Sequence, residues 1–122
     1  MAKKILVVDD DLETAQTVQL SLERGGFDVV MAHNGLEALA SVATEKPDLV
    51  VMDVTMPVMD GFEALQRIKA DEATAHIPVV MLSADQSLGS MSIGWEAGTD
   101  VYLTKPFHPR DLVEQIKVVL DS

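Results

Sequence analysis

A three-layer α/β domain built on a parallel sheet is the fold this sequence predicts, and three observations carry the prediction. Short β-branched or aliphatic runs of strand length alternate with stretches of helical spacing. The runs are continuously apolar, which implies strands buried on both faces, as in a parallel sheet covered by helices. The chain has 122 residues, 48% of them hydrophobic, which is the size of one domain, residues 1–122, with a core of its own. The right-handed crossover rule then fixes the hand of each strand–helix–strand unit.

The elements follow in order. Ile5 to Val8 is the first strand and runs into Asp9, Asp10 and Asp11. Leu12, Ala15, Val18 (or Gln19) and Leu22 recur at helical spacing and mark the first helix, which "RGGF" closes with glycine. Phe27 to Met31 is the second strand. Asn34 is placed to cap a second helix whose apolar stripe is Leu36, Leu39 and Ala43. "KPD" separates it from strand three, Leu49 to Met52, which ends in Asp53. Phe62, Leu65 and Ile68 mark the third helix, and "HIP" introduces strand four, Val79 to Leu82. A fourth helix is placed at Ser87 to Trp95, where Gly89 and Gly94 each cost about 1 kcal/mol against alanine. Val101 to Leu103 is the fifth strand, and Leu112, Ile116, Val119 and Leu120 carry the last helix.

Composition narrows the function. The sequence has no cysteine, so thiolate metal sites and disulfides are excluded, in keeping with a reducing cytoplasm. The apolar run after "MAKK" is four residues long, too short for a signal-peptide core or a membrane span. A formal net charge of −11 repels phosphate backbones and anionic lipid, so no direct nucleic-acid or membrane partner is expected. No linker, repeat or low-complexity tract divides the chain. The last helix stops at the chain end, where an effector domain can follow in a longer parent.

Ligands of open parallel sheets bind beyond the carboxyl ends of the strands. There the sequence places Asp9 and Asp10 after strand one, Asp53 after strand three, Ser83 and Ala84 after strand four, and Thr104, Lys105 and Pro106 after strand five. Carboxylates gathered in one crevice raise each other's pKa unless a cation compensates them. An oxygen-only donor set favours Mg²⁺, which typically takes one or two carboxylates and keeps several waters. A carboxylate beside that ion can attack phosphorus to give an acyl phosphate, with a lysine neutralising charge on the phosphoryl oxygens, so Asp53 is the candidate nucleophile. Asp11 reads as a helix cap rather than a ligand. His33, His76 and His108 read as surface, the methionines as packing, and Trp95 as a partly buried anchor.

Four blocks then resemble a known family. "ILVVDDD" (5–11), "MDVTMPVMDGFE" (52–63), "MLSA" (81–84) and "GTDVYLTKPF" (98–107) are similar to the signature blocks of the CheY-like receiver domain of response regulators in two-component signalling. The resemblance implies a doubly wound five-stranded sheet of flavodoxin-like order 2-1-3-4-5 with five helices. It implies that Asp53 accepts a phosphoryl group from a histidine kinase or phosphotransfer protein, and that Asp9, Asp10, Asp53 and the backbone carbonyl of Thr55 hold Mg²⁺. Ser83, Ala84 and Lys105 would bind the phosphoryl group, Tyr102 would switch with Ser83, and Pro106 would follow a cis peptide bond. Thr55 and Asp85 would tune the lifetime of the phosphoryl group.

By the same resemblance the chain is not an enzyme with a separate substrate. It is a phospho-acceptor that assists its own phosphotransfer and dephosphorylation, and its fourth helix, fifth strand and fifth helix form the face that changes partner binding to an output protein or effector domain. Two departures stand out: Val58 replaces a common glycine, which reads as a loop variation, and Ser83 replaces the commoner threonine. The charges of the winged-helix subfamily dimer are missing at Met91, Val101 and Gln115, which argues against that dimer. A phosphatase with an aspartate nucleophile would need an acid two residues on, where Thr55 stands. A receiver that has lost phosphorylation would not need Asp9, Asp10, Asp53, Ser83 and Lys105.

Overall fold

The computed structural model describes residues 2–83, 98–105 and 107–121. Within them lie five strands, β1 (Lys4–Val8), β2 (Asp28–Ala32), β3 (Leu49–Asp53), β4 (Val79–Ser83) and β5 (Val101–Thr104). Four helices are described: α1 (Leu12–Arg24), α2 (Gly35–Glu45), α3 (Gly61–Ala70) and the C-terminal α4 (Pro109–Leu120). The predicted helix at 87–95, with Gly89, Met91, Gly94 and Trp95, lies outside the described residues.

All pairs are parallel, and the strand order is β2-β1-β3-β4-β5. The fold is the flavodoxin-like doubly wound one expected. Successive side chains of a strand point to opposite faces, and each face here has its own core. Leu6, Val8, Val50, Met52, Val79, Met81 and Tyr102 pack under α2 and α3, with Ala38, Val42, Leu65 and Ile68. Ile5, Val7, Leu49, Val51, Val80 and Leu82 pack under α1 and α4, with Val18, Leu22, Leu112 and Ile116. Burial on both faces is why the central strands β3 and β4 carry no polar residue until Asp53 and Ser83 at their ends.

Helix starts match the caps in the sequence. The Asp11 carboxylate accepts the Glu13 N–H at 3.1 Å and the Thr14 hydroxyl at 2.8 Å, and the latter bond holds its pKa below the usual carboxylate value. Asn34 accepts the Glu37 N–H at 2.9 Å, and Asp60 accepts that of Glu63 at 2.9 Å. His108 caps α4, its Nδ1 accepting the Arg110 N–H at 3.1 Å. All three histidines are on the surface, and Met52, Met56, Met59 and Met81 are buried.

Two helix faces differ from expectation. Leu12 is 58% exposed and Leu36 51% exposed, and α2 buries Gly35, Ala38 and Val42 instead, one residue out of step with the predicted stripe. The reason is close approach. A Cβ at position 35 would lie 2.6 Å from the Met59 carbonyl oxygen, so the seam between α2 and the loop after β3 accepts only a small residue. Small residues are weak signals in an apolar pattern, and the larger leucines beside them drew the stripe.

Candidate functional site

Strand register assembles the site. Val8 pairs with Met52, so the next residues, Asp9 and Asp53, emerge side by side at the crevice where the strand order reverses. Asp53 pairs with Leu82 and Ser83 with Thr104, which places Ser83 and then Lys105 at the neighbouring strand ends. The Lys105 N–H donates to the Ser83 carbonyl at 2.7 Å, continuing the β4–β5 ladder one step. Its ammonium thus arrives 3.4 Å from Asp53 Oδ1 and 3.7 Å from Asp9 Oδ2.

Asp9, Asp53 and Ser83 are buried, whereas Asp10 and Thr55 are exposed at the rim. Asp9 is held by its own backbone N–H, which donates to Ala32 O at 3.1 Å, and by the Asp11 N–H, which donates to its Oδ1 at 2.9 Å. Carboxylate oxygens of Asp9, Asp10 and Asp53 lie within 4.8 Å of one another. Burial, and then the charge of Asp9, push the Asp53 carboxyl up to about 6, with the Lys105 ammonium opposing them. Three carboxylates face one lysine, and all three offer oxygen. That donor set fits a hard divalent cation, which would relieve the repulsion.

The structure therefore brings together Asp9, Asp10, Asp53 and Lys105, with Ser83 buried at the next strand end and Thr55 two residues past Asp53. Tyr102 is 7% exposed, beside Met81 in the sheet and turned into the α3-side core. Ala84, Asp85 and Pro106 lie outside the described residues.

The importance of one loop was missed. Residues 54–60 connect Asp53 to α3 and are closed at the base by the Gly61 N–H, which donates to Val54 O at 2.8 Å. A Cβ on Gly61 would lie 2.2 Å from the Asp53 carbonyl oxygen, so α3 begins directly against the functional strand. Val58 has φ 70°, and the Met59 N–H donates to Pro57 O at 2.8 Å, a γ-turn about a β-branched residue. The substitution is a strained turn, more than a neutral loop variation. A left-handed conformation costs an ordinary L-residue roughly 1–2 kcal/mol, and the greater freedom of glycine in the unfolded chain offsets about 0.5–1 kcal/mol of the relief. Val58→Gly is accordingly expected to raise stability by about 0.5–1 kcal/mol, read as a higher urea midpoint at unchanged slope.

Residues 5–117 match the family model of the response regulator receiver domain. The chain is 42% identical over 120 residues to the alkaline phosphatase synthesis transcriptional regulatory protein PhoP of Bacillus subtilis, covering 98% of this chain and 49% of that protein. It is 39% identical over 120 residues to the phosphate regulon transcriptional regulatory protein PhoB of Pseudomonas aeruginosa, covering 98% and 52%. The chain thus spans about half the length of these curated relatives. A crystal structure of a response regulator from Chloroflexus aurantiacus superposes with a TM-score of 0.95 at 34% identity, covering 100% of both chains.

Proposed function

Because the chain belongs to the response regulator receiver domain family, we propose that it is a phosphorylation-activated switch whose acceptor is Asp53. One observation carries the reading: the Asp53 carboxylate stands at the end of a fully buried strand, 3.4 Å from the Lys105 ammonium and within 4.8 Å of the oxygens of Asp9 and Asp10. In the reaction an Asp53 carboxylate oxygen attacks phosphorus, the new O–P bond forms, and the bond from phosphorus to the donor breaks. Lys105 pairs with the phosphoryl oxygens, and the Ser83 hydroxyl bonds one of them.

Asp9, Asp10, Asp53 and the Thr55 carbonyl would hold Mg²⁺. When bound, that ion supplies positive charge against the phosphoryl oxygens. Tyr102 follows Ser83 in the switch. Thr55 sets phosphoryl lifetime, together with Asp85; the phosphoryl-binding role of Ala84 and the cis bond before Pro106 rest on the family resemblance. The chain acts on its own aspartate and assists loss of the phosphoryl group.

A histidine kinase or phosphotransfer protein is the proposed donor. Leu12, Leu36 and Val58, three of the large apolar side chains exposed among the described residues, lie at the edge of the sheet that carries the acceptor, where a protein donor must approach. Output is proposed to pass through the predicted fourth helix, β5 and α4 to an effector domain or partner protein. The relatives named as transcriptional regulators make a DNA-binding effector in a longer protein a fitting output, but this acidic domain, residues 1–122, would not itself contact DNA. With Met91, Val101 and Gln115 in place of charges, it would not use the winged-helix subfamily's dimer. No helix among the described residues is long and apolar enough to cross a membrane, and a cytoplasmic location is the proposed one.

Incubation with acetyl phosphate and Mg²⁺ is expected to add one phosphoryl group, labile to base as an acyl phosphate is, and EDTA should suppress the adduct. Equal labelling in EDTA would refute the metal-dependent acceptor. Sustained hydrolysis of p-nitrophenyl phosphate would point to a phosphatase instead.

A further inference from the structure

The loop 54–60 is anchored on both sides of its strained turn. Val54 donates its N–H to Leu82 O at 2.9 Å, Met56 and Met59 are buried, and Met59 O accepts the Gly35 N–H at 3.3 Å. The ring of Pro57 fixes its own φ. The geometric mismatch therefore falls on Val58, which sits at φ 70° with 73% of its surface exposed. Its side chain makes no core contact that would reward this conformation, so the anchors impose it.

The nearest relaxed arrangement returns Val58 to negative φ. The Pro57–Met59 hydrogen bond persists there as an inverse γ-turn, but the reversed turn lifts Met59 from its place against Gly35 and breaks the 3.3 Å bond between them. The opposing quantities are similar in size: backbone strain favours release, while one buried methionine and one long hydrogen bond favour the seated form. Thr55 lies inside the anchored stretch, between Val54 and Met56, so the contacts that seat the loop also hold the Thr55 backbone.

We propose that Val58 keeps the loop 54–60 near balance between the arrangement seen here and one in which Val58 relaxes and Met59 leaves its seat, and that a divalent cation at Asp53 and Thr55 favours the seated form. The second half rests on the metal-binding reading above; the first does not. A ligand that binds one of two conformers draws the population toward it, so the cation and Val58 act on the same equilibrium.

Hydrogen peroxide oxidation of the intact folded protein, resolved methionine by methionine by peptide mass spectrometry, tests this in wild type, Val58→Gly and Val58→Asn. Glycine and asparagine both tolerate the left-handed region. Global unfolding exposes Met59 and Met81 alike, so the ratio of their rates isolates local release. The ratio is expected to fall about two- to fivefold in both variants. An unchanged ratio in both would overturn the proposal. Millimolar Mg²⁺ is expected to lower the wild-type ratio as well. If the variants lower it and Mg²⁺ does not, although calorimetry shows that Mg²⁺ binds, the coupling to the cation is wrong. If calorimetry shows no Mg²⁺ binding to wild type, the metal reading itself fails.

Discussion

Asp53→Asn is expected to make the metal-free protein more stable at pH 7.5, by about 2 kcal/mol. The ordinary carboxyl value is 3.8 and the folded state raises it to about 6, chiefly through burial and secondarily through Asp9. A carboxyl whose folded pKa is raised contributes stability that is full below the unfolded value and is lost as pH rises through the folded value. The wild type therefore loses this contribution between about pH 4 and pH 6, and the asparagine variant does not. The difference between the two should be near zero at pH 4 and fully developed at pH 7.5. Keeping the carboxylate ionised in that setting costs the folded wild type nearly 3 kcal/mol, on the order of 1.4 kcal/mol for each tenfold change in its acidity. The expected gain is smaller because the carboxylate stands at the open end of the sheet beside the exposed Asp10 and Thr55, where solvent screens part of that cost. Mg²⁺ should reverse the ranking by stabilising the wild type through binding to the folded state alone. Urea unfolding of both proteins at several pH values, with and without Mg²⁺, measures this. A variant no more stable than wild type at pH 7.5 would mean that Asp53 is not under electrostatic strain.

Among the described glycines, Gly61 is the one where alanine is expected to do the most damage. The new Cβ would stand 2.2 Å from the Asp53 carbonyl oxygen, 3.0 Å from its carbon and 3.0 Å from Met81 Cε. The first two are backbone atoms of a central strand, which cannot turn aside as a side chain can. Relief requires α3 to back away from β3, which strains the Gly61 N–H bond to Val54 O at 2.8 Å and shifts the loop that follows Asp53. Overpacking of this severity costs about 3 kcal/mol or more, roughly 10 °C in Tm for a domain of this size. Phosphoryl labelling should fall even at temperatures where the variant remains folded, because the displaced atoms include the backbone of the acceptor. Thermal unfolding near the wild-type Tm would show that the helix start has more room than its geometry indicates.

The sheet was legible because its strands are buried on both faces. "ILVV" and "LVVM" have no polar residue to confuse their period, and the acidic or hydroxyl residues at Asp9, Asp53 and Ser83 mark their ends. Strand order was not legible from periodicity and came with the family resemblance. The convergence of Asp9, Asp53 and Lys105 could be anticipated because the ends of parallel strands meet at one edge, and the register of Val8 with Met52 makes the neighbours face. What the sequence hid is what depends on small residues and backbone torsion. Gly35 and Ala38, rather than Leu36, face the core. Gly61 is required by a carbonyl oxygen, not by a turn type. Val58 reads as a loop variation because a one-letter sequence records no φ, and its strain follows only from anchors at Met56, Met59 and Gly35 that no local pattern links.

Peptide mapping after acetyl phosphate and Mg²⁺ tests the central claim most directly, with wild type and Asp53→Asn treated in parallel. The account predicts a single phosphoryl mass on the wild-type peptide that carries Asp53 and none anywhere on the variant, while the variant's unfolding transition shows that it is folded. An adduct of equal yield on the folded variant, or an adduct on the wild type at any residue other than Asp53, would contradict it.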